Sequence, residues 1–246
     1  MASNFKFLES DFPVLANFGD LAEKYCYTDP NSCLMKLGMI GETIVNLMFT
    51  YDKISLPRDN TAVNRINVLA SEGLLTKDLI DILHALRKVR NKAVHENYSK
   101  ASDCPVFLQM AYSLTEWFMQ TYGDWNYQHQ DFVMPVKEEE KKGERLFEFS
   151  RAQEERKEEE LTKAAIACAE NTEKMDRKTR QKQANKMAGL RQKSEAETRY
   201  MIDEQLRQVG WEANTQEIRY AKGIRPVKGR NMAIAEWPTD STVSKR

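Results

Sequence analysis

The stretch Thr76–Tyr98, TKDLIDILHALRKVRNKAVHENY, decides the fold. Leu79, Leu83, Leu86, Val89 and Ala93 recur at steps of three and four, which places them on one side of an α-helix at about 100° per residue. Thr76 stands where an N-cap belongs, and Asp78 sits in the first turn, where the helix dipole favours negative charge. Arg90 falls inside the apolar stripe, beside a polar face of His84, Arg87, Asn91 and His95. An arginine on such a stripe needs a carboxylate, or a route to solvent for its head, because a buried unpaired charge is strongly destabilising.

Working outward, the helices on either side read the same way. Pro13 to Tyr27 predicts a helix behind an aromatic-rich entry of Phe5, Phe7, Leu8 and Phe12. Thr28 or Asp29 caps the next, with Pro30 at its start. Leu34, Leu37, Gly41, Ile44, Val45 and Met48 form its apolar face, which Gly38 and Gly41 thin for close helix contact. Glu42 flanks that face and is the candidate partner of Arg90 in a structural ion pair. Residues 56–75 predict loop with one short helix. Beyond Tyr98, Ser102 or Asp103 caps a helix with Pro105 in its first turn. Met110, Leu114, Trp117, Phe118 and Tyr122 line its buried side, and Gly123 ends it. Nothing here alternates at period two, so residues 1–135 predict a helical bundle with these aromatics in its core.

Composition bounds the rest. The 246 residues carry 37 basic and 37 acidic side chains, so no global charge drives the chain onto nucleic acid. No apolar run approaches the roughly 18 residues of a membrane span, and no signal-peptide core opens the chain. Cys26, Cys33, Cys104 and Cys168 are scattered without a CxxC pair, which predicts a reducing, cytoplasmic setting and neither zinc site nor disulfide framework. Residues 136–193 are rich in Glu, Lys, Arg, Gln and Ala, with apolar residues such as Leu146, Phe149, Leu161, Ile166 and Met187 too sparse for a heptad seam. They predict a solvated helical spacer or weak coiled coil, whose basic run Lys174–Lys193 is free to touch phosphates. From 194 to 246 the pattern becomes an amphipathic helix with Ile202, Leu206 and Val209 inward, then strands at Gln216–Tyr220 and Met232–Trp237. That is the opening of an α/β domain with too few strands to stand alone.

Two resemblances follow. Arg90-Asn91-x-x-x-His95 resembles the R-N-x-x-x-H signature of the HEPN helical superfamily, which implies a metal-independent ribonuclease or toxin with Arg90, Asn91 and His95 at its site. Over nearly its full length, the chain resembles the N-terminal region of the R (restriction and translocation) subunit of type I restriction–modification enzymes, type IA-like. The resemblance rests on Ser3-Asn4-Phe5-x-Phe7-Leu8, on Asp29-Pro30-Asn31 through Gly41-Glu42 with Asn91-x-Ala93-Val94-His95-Glu96, and on Ile202-Asp203-x-Gln205-Leu206-Arg207-x-x-Gly210-Trp211 with Lys222-Gly223-x-Arg225-Pro226 and Ala233 to Thr239.

The second resemblance implies a mainly α protein: a HEPN-like helical accessory domain, the charged spacer, and an incomplete PD-(D/E)xK-type α/β piece in which Glu204, Gln205 and Glu236 form the nuclease lead-in. It implies DNA and the modification and specificity subunits as partners. For the full-length subunit it implies ATP-dependent, Mg²⁺-requiring deoxyribonuclease activity. No GxxxxGK(S/T) and no Glu-x-Lys after Trp237 occur here, so this chain alone is expected to be inactive, with neither cofactor nor metal of its own.

Overall fold

A computed structural model describes residues 3–136 and 147–238, and side chains from residue 152 onward in the second range. The charged stretch 137–146, with Leu146, and the side chain of Phe149 lie outside the described residues, as does Thr239. The protein is mainly α, and it divides into two compact units, Met1–Gln192 and Lys193–Arg246.

The first unit starts with a 3-10 turn, Asn4–Leu8, followed by α1 (Pro13–Tyr25), α2 (Pro30–Tyr51), α3 (Ala62–Ser71), α4 (Lys77–Glu96) and α5 (Cys104–Tyr122). The starts follow the local chemistry. The Asp29 carboxylate accepts from the Ser32 amide at 3.1 Å, capping α2 with Pro30 in its first turn. The Thr61 hydroxyl does the same for α3 through Asn64. Thr76 holds the N-cap position of α4 without a side-chain cap bond, and Asp103 accepts instead from the Tyr98 hydroxyl at 2.6 Å. Gly123 ends α5.

α2 is the axis of this unit and packs on α1, α4, α5 and α6 (Phe147–Asn171). By length and composition α2 could cross a membrane, contrary to the reading that no apolar run comes close; 67% of that window is buried inside the bundle, as a core helix requires. Trp117, Phe5, Phe12, Phe18, Phe107 and Phe118 are fully buried, so the aromatics are core. Burying each such side chain contributes about 1.5–3 kcal/mol. Three of the scattered cysteines, Cys26, Cys33 and Cys104, meet in this core as free thiols.

The described part of the expected spacer is solvated on one face and docked on the other. α6 and α7 (Arg177–Leu190) lie on the bundle and belong to the first compact unit. Glu154 accepts from Tyr25 at 2.7 Å, and buried Glu158 pairs with Lys36. On α7, Arg180, Gln183, Ala184 and Met187 are buried, a stripe at helical spacing. Trp117 donates to the Ala184 carbonyl at 3.0 Å and Gln183 to the Gln120 carbonyl at 2.6 Å. Arg177 and Arg191, members of the basic run, pair with Glu72 and Ser113 rather than facing solvent alone.

The second unit holds α8 (Glu195–Gln208), capped by Ser194 through the Glu197 amide at 3.0 Å, then β1 (Glu212–Ala213) and β2 (Met232–Ala233). The strands pair in parallel, Glu212 with Met232 and Ala213 with Ala233. Gln216–Tyr220 is not the expected strand. The Asn214 side chain accepts from the Gln216 and Glu217 amides, and Asp203 holds Thr215 by amide and hydroxyl, so the backbone turns. Arg219 alone bridges to Ala235. Met232–Trp237 keeps only its first two residues as strand. Ile202, Val209, Trp211 and Trp237 remain exposed, so Ile202 and Val209 do not face inward as the helical pattern predicts.

Candidate functional site

The site grows from the crossing of α2 and α4. Gly38 and Gly41 leave the surface of α2 bare where α4 approaches. A Cβ at Gly38 would lie 2.8 Å from both Cγ and Cδ of Arg90, whereas one at Gly41 would meet Leu86 Cδ1 at 3.4 Å. The stem of Arg90 therefore lies along the α2 backbone, and its head emerges beside Glu42. Arg90 Nη1 stands 2.9 Å from Glu42 Oε2, with 36% and 43% of the two side chains accessible. The pair is half-exposed, not the buried charge that its place on the apolar stripe suggests.

With α3, this crossing encloses a cavity of about 410 Å³. Its floor includes Val45, Ile66 and Leu83, all buried. Its polar lining is Arg65 from α3, Arg87, Arg90 and Asn91 from α4, and Glu42 and Asn46 from α2. Arg65 is held by neutral amide oxygens, Asn60 Oδ1 at 2.7 Å and Asn46 Oδ1. Among the described residues Arg87 has no hydrogen bond or ion pair, and the Nε atoms of Arg87 and Arg90 are buried without a partner. Glu42 is the sole carboxylate in the lining, so two guanidinium charges have no carboxylate opposite them there. One turn back from Arg87, His84 is half-buried. Burial, then the Arg87 and Lys88 cations, push its imidazole below the usual value, so it is neutral near pH 7.

Of the residues singled out from sequence, the structure brings Arg90, Asn91 and Glu42 together here. His95 is exposed and does not line the cavity. Arg65 went unnoticed, and Arg87 was only one member of a polar face; their shared cavity needs α3 folded against α4, which no local pattern specifies.

In the second unit Glu204 pairs with Arg207 at 2.6 Å, and Gln205 is exposed. Glu236, in the left-handed region at φ 55°, pairs with Arg219 and lies 3.6 Å from Arg199. A carboxylate engaged by two guanidinium groups is a poor start for a divalent-cation ligand set.

The comparisons with known proteins follow this division. Residues 20–148 match the model of a domain of unknown function, DUF4145, and the chain belongs to that family. Residues 212–245 match the second domain of the type I restriction enzyme EcoKI endonuclease subunit. The chain is also 27% identical to the EcoKI endonuclease subunit of Escherichia coli (strain K12) over 96% of its own length, and it spans 24% of that relative. These two matches bear out the resemblance to the N-terminal region of type I R subunits. No solved structure matches the chain significantly.

Proposed function

We propose that this chain acts as the amino-terminal, non-motor part of a type I restriction R subunit. In that role it contributes to restriction of foreign DNA in the cytoplasm through contacts with DNA and with the modification and specificity subunits. It supplies no complete nuclease or ATPase site of its own; Mg²⁺ and ATP belong to the full-length subunit. The observation that carries the reading is the match of residues 212–245 to the second domain of the EcoKI endonuclease subunit. The stand-alone ribonuclease reading needs Arg90 and His95 on one phosphate, but Arg90 is engaged by Glu42 inside the cleft and His95 lies outside its lining.

The test mixes the purified chain with an assembled modification–specificity methyltransferase of a type I system and duplex DNA, and measures mass by size exclusion with light scattering. A complex containing the chain is expected, without DNA cleavage or ATP hydrolysis by the chain alone. Failure to join either methyltransferase or DNA, together with single-stranded RNA cleavage that His95→Ala abolishes, would overturn the proposal in favour of the ribonuclease.

A further inference from the structure

We infer that the outward face of α7 is a contact surface for the backbone of duplex DNA, carried by Lys178, Lys182 and Lys186. The choice of DNA rests on the restriction reading; the surface rests on the docking of α7.

Residues 177–193 hold seven basic side chains and no acidic one, in a chain whose charges balance overall. Docking sorts them. Arg180 turns into the seam with Asp52, Arg177 pairs with Glu72, and Arg191 bonds Ser113. Lys178, Lys182 and Lys186 are exposed and make no ion pair among the described residues. They follow one another at four-residue steps, so they form a row about 12 Å long on one face. Like charges at this spacing weaken a helix. Elsewhere the chain sets opposite charges there: Lys77 with Asp81, Lys163 with Glu159 and Arg199 with Glu195. The nearest acid in sequence, Asp176, is engaged in capping α7, accepting from the Thr179 amide and hydroxyl. The row therefore adds nothing to its own helix, and a polyanion would supply the missing negative charge.

The rest of the face selects the polyanion. Between Lys178 and Lys186 the exposed side chains are the three lysines, Thr179 and Asn185, with no apolar or aromatic group among them. Protein interfaces have apolar cores and are poor in lysine, and single strands are held by stacking on aromatic rings. A duplex asks for neither. Its phosphates place one charge per about 1.7 Å of axis, so a row of this length meets several in any register. The helix is also held from behind for such a contact, by the Trp117 bond to the Ala184 carbonyl at 3.0 Å and the Gln183 bond to the Gln120 carbonyl at 2.6 Å.

The test is fluorescence anisotropy of the whole chain on a labelled duplex of arbitrary sequence, across about 50 to 200 mM salt. Lys178→Gln, Lys182→Gln and Lys186→Gln together should weaken binding at least about tenfold at the low-salt end. They should also make the log–log salt slope shallower by about 2.7, the figure for three phosphate contacts. Lys178→Arg, Lys182→Arg and Lys186→Arg together should keep the wild-type slope. Lys6→Gln, Lys77→Gln and Lys163→Gln together remove equal charge from exposed positions elsewhere and should leave affinity and slope unchanged. The α7 glutamine variant should melt at the wild-type temperature or above, because it relieves like-charge repulsion; a variant that lost the fold would overturn the premise that the row has no structural role. An unchanged slope in that variant, an equal loss in the control, or no binding of the duplex by wild type would overturn the inference. So would polyglutamate or single-stranded RNA competing as well as duplex, the first of these assigning an acidic protein as partner. The restriction reading is scored separately, by entry of the wild-type chain into the methyltransferase complex, and it stands there even if the α7 variant keeps its DNA affinity.

Discussion

The α5–α7 seam and the α2–α3–α4 cleft both set guanidinium groups against helix faces, and they treat the charge in opposite ways. At the seam, Arg180 is 4% exposed and Asp52 3%. Its Nε lies 3.4 Å from Asp52, it donates to the Thr121 carbonyl, and its guanidinium sits 4.1 Å over the Tyr122 ring. Burial, then the Asp52 charge, push the Tyr122 phenol well up, so it stays protonated and donates to Asp52 at 2.6 Å. In the cleft, Arg90 is half-exposed on a half-exposed partner and Arg87 has none among the described residues. A structural arginine has its donors met by groups from other helices. In the cleft, Arg87 keeps its donors unused, among the described residues, beside an open volume.

The largest expected effect tests the seam. Arg180→Ala leaves Asp52 buried with Tyr122 as its remaining partner there, and removing one member of a buried pair costs about 3–5 kcal/mol. Urea denaturation measures it, and hydrogen exchange should show the α7 amides losing protection first. A loss no larger than that of a surface pair would erase the contrast between the two regions.

Next comes the helix crossing. Gly38→Ala puts a methyl against the Arg90 stem and should cost about 1–3 kcal/mol by overpacking. Gly41→Ala meets only ordinary contact and gains helix propensity of up to about 1 kcal/mol, so it should be neutral to stabilising by that amount. Equal effects at both positions would show that the Arg90 stem is not wedged there.

The Glu42–Arg90 pair should contribute less. Its coupling energy in a double-mutant cycle of Glu42→Gln and Arg90→Met should fall at about 0–1 kcal/mol, as for an exposed pair. Coupling of 3 kcal/mol or more, the figure for a buried charge, would move this pair into the class of Arg180.

Much of this was legible in the sequence where the signal is local. Asp29-Pro30 marks the start of α2, the 76–98 stripe gives α4, and Glu42 was the partner expected for Arg90 from helix faces alone. The α7 seam was not legible. Its buried stripe contains Arg180 and Gln183, so hydropathy reads it as solvated, and the partner Asp52 is 128 residues away. The spacing of Arg180, Gln183, Ala184 and Met187 was the available signal, the same pattern of an arginine on a stripe that was noticed at Arg90. In the second unit, alternation at Gln216–Tyr220 lost to Asn214, whose side-chain acceptor closes a turn more locally than any strand partner can.

The finest test is electrostatic and concerns His84, the residue one turn from Arg87. Its imidazole is half-buried, its Nδ1 has no hydrogen-bond partner, and its titration is depressed by burial, then by Arg87 and Lys88, with Asp81 opposing. The unfolded chain takes up a proton there near the ordinary value of about 6.5. The folded chain resists until a lower pH. Between those two points the unfolded state binds more protons, so stability falls as pH falls. The contribution is fully present above about pH 6.5 and is lost as pH drops through the depressed folded value. His84→Gln should therefore flatten the stability profile below pH 6.5 relative to wild type, measured by urea midpoints across pH 7.5 to 5. An identical slope in His84→Gln and wild type would mean that neither burial nor the Arg87 and Lys88 cations depress the His84 imidazole.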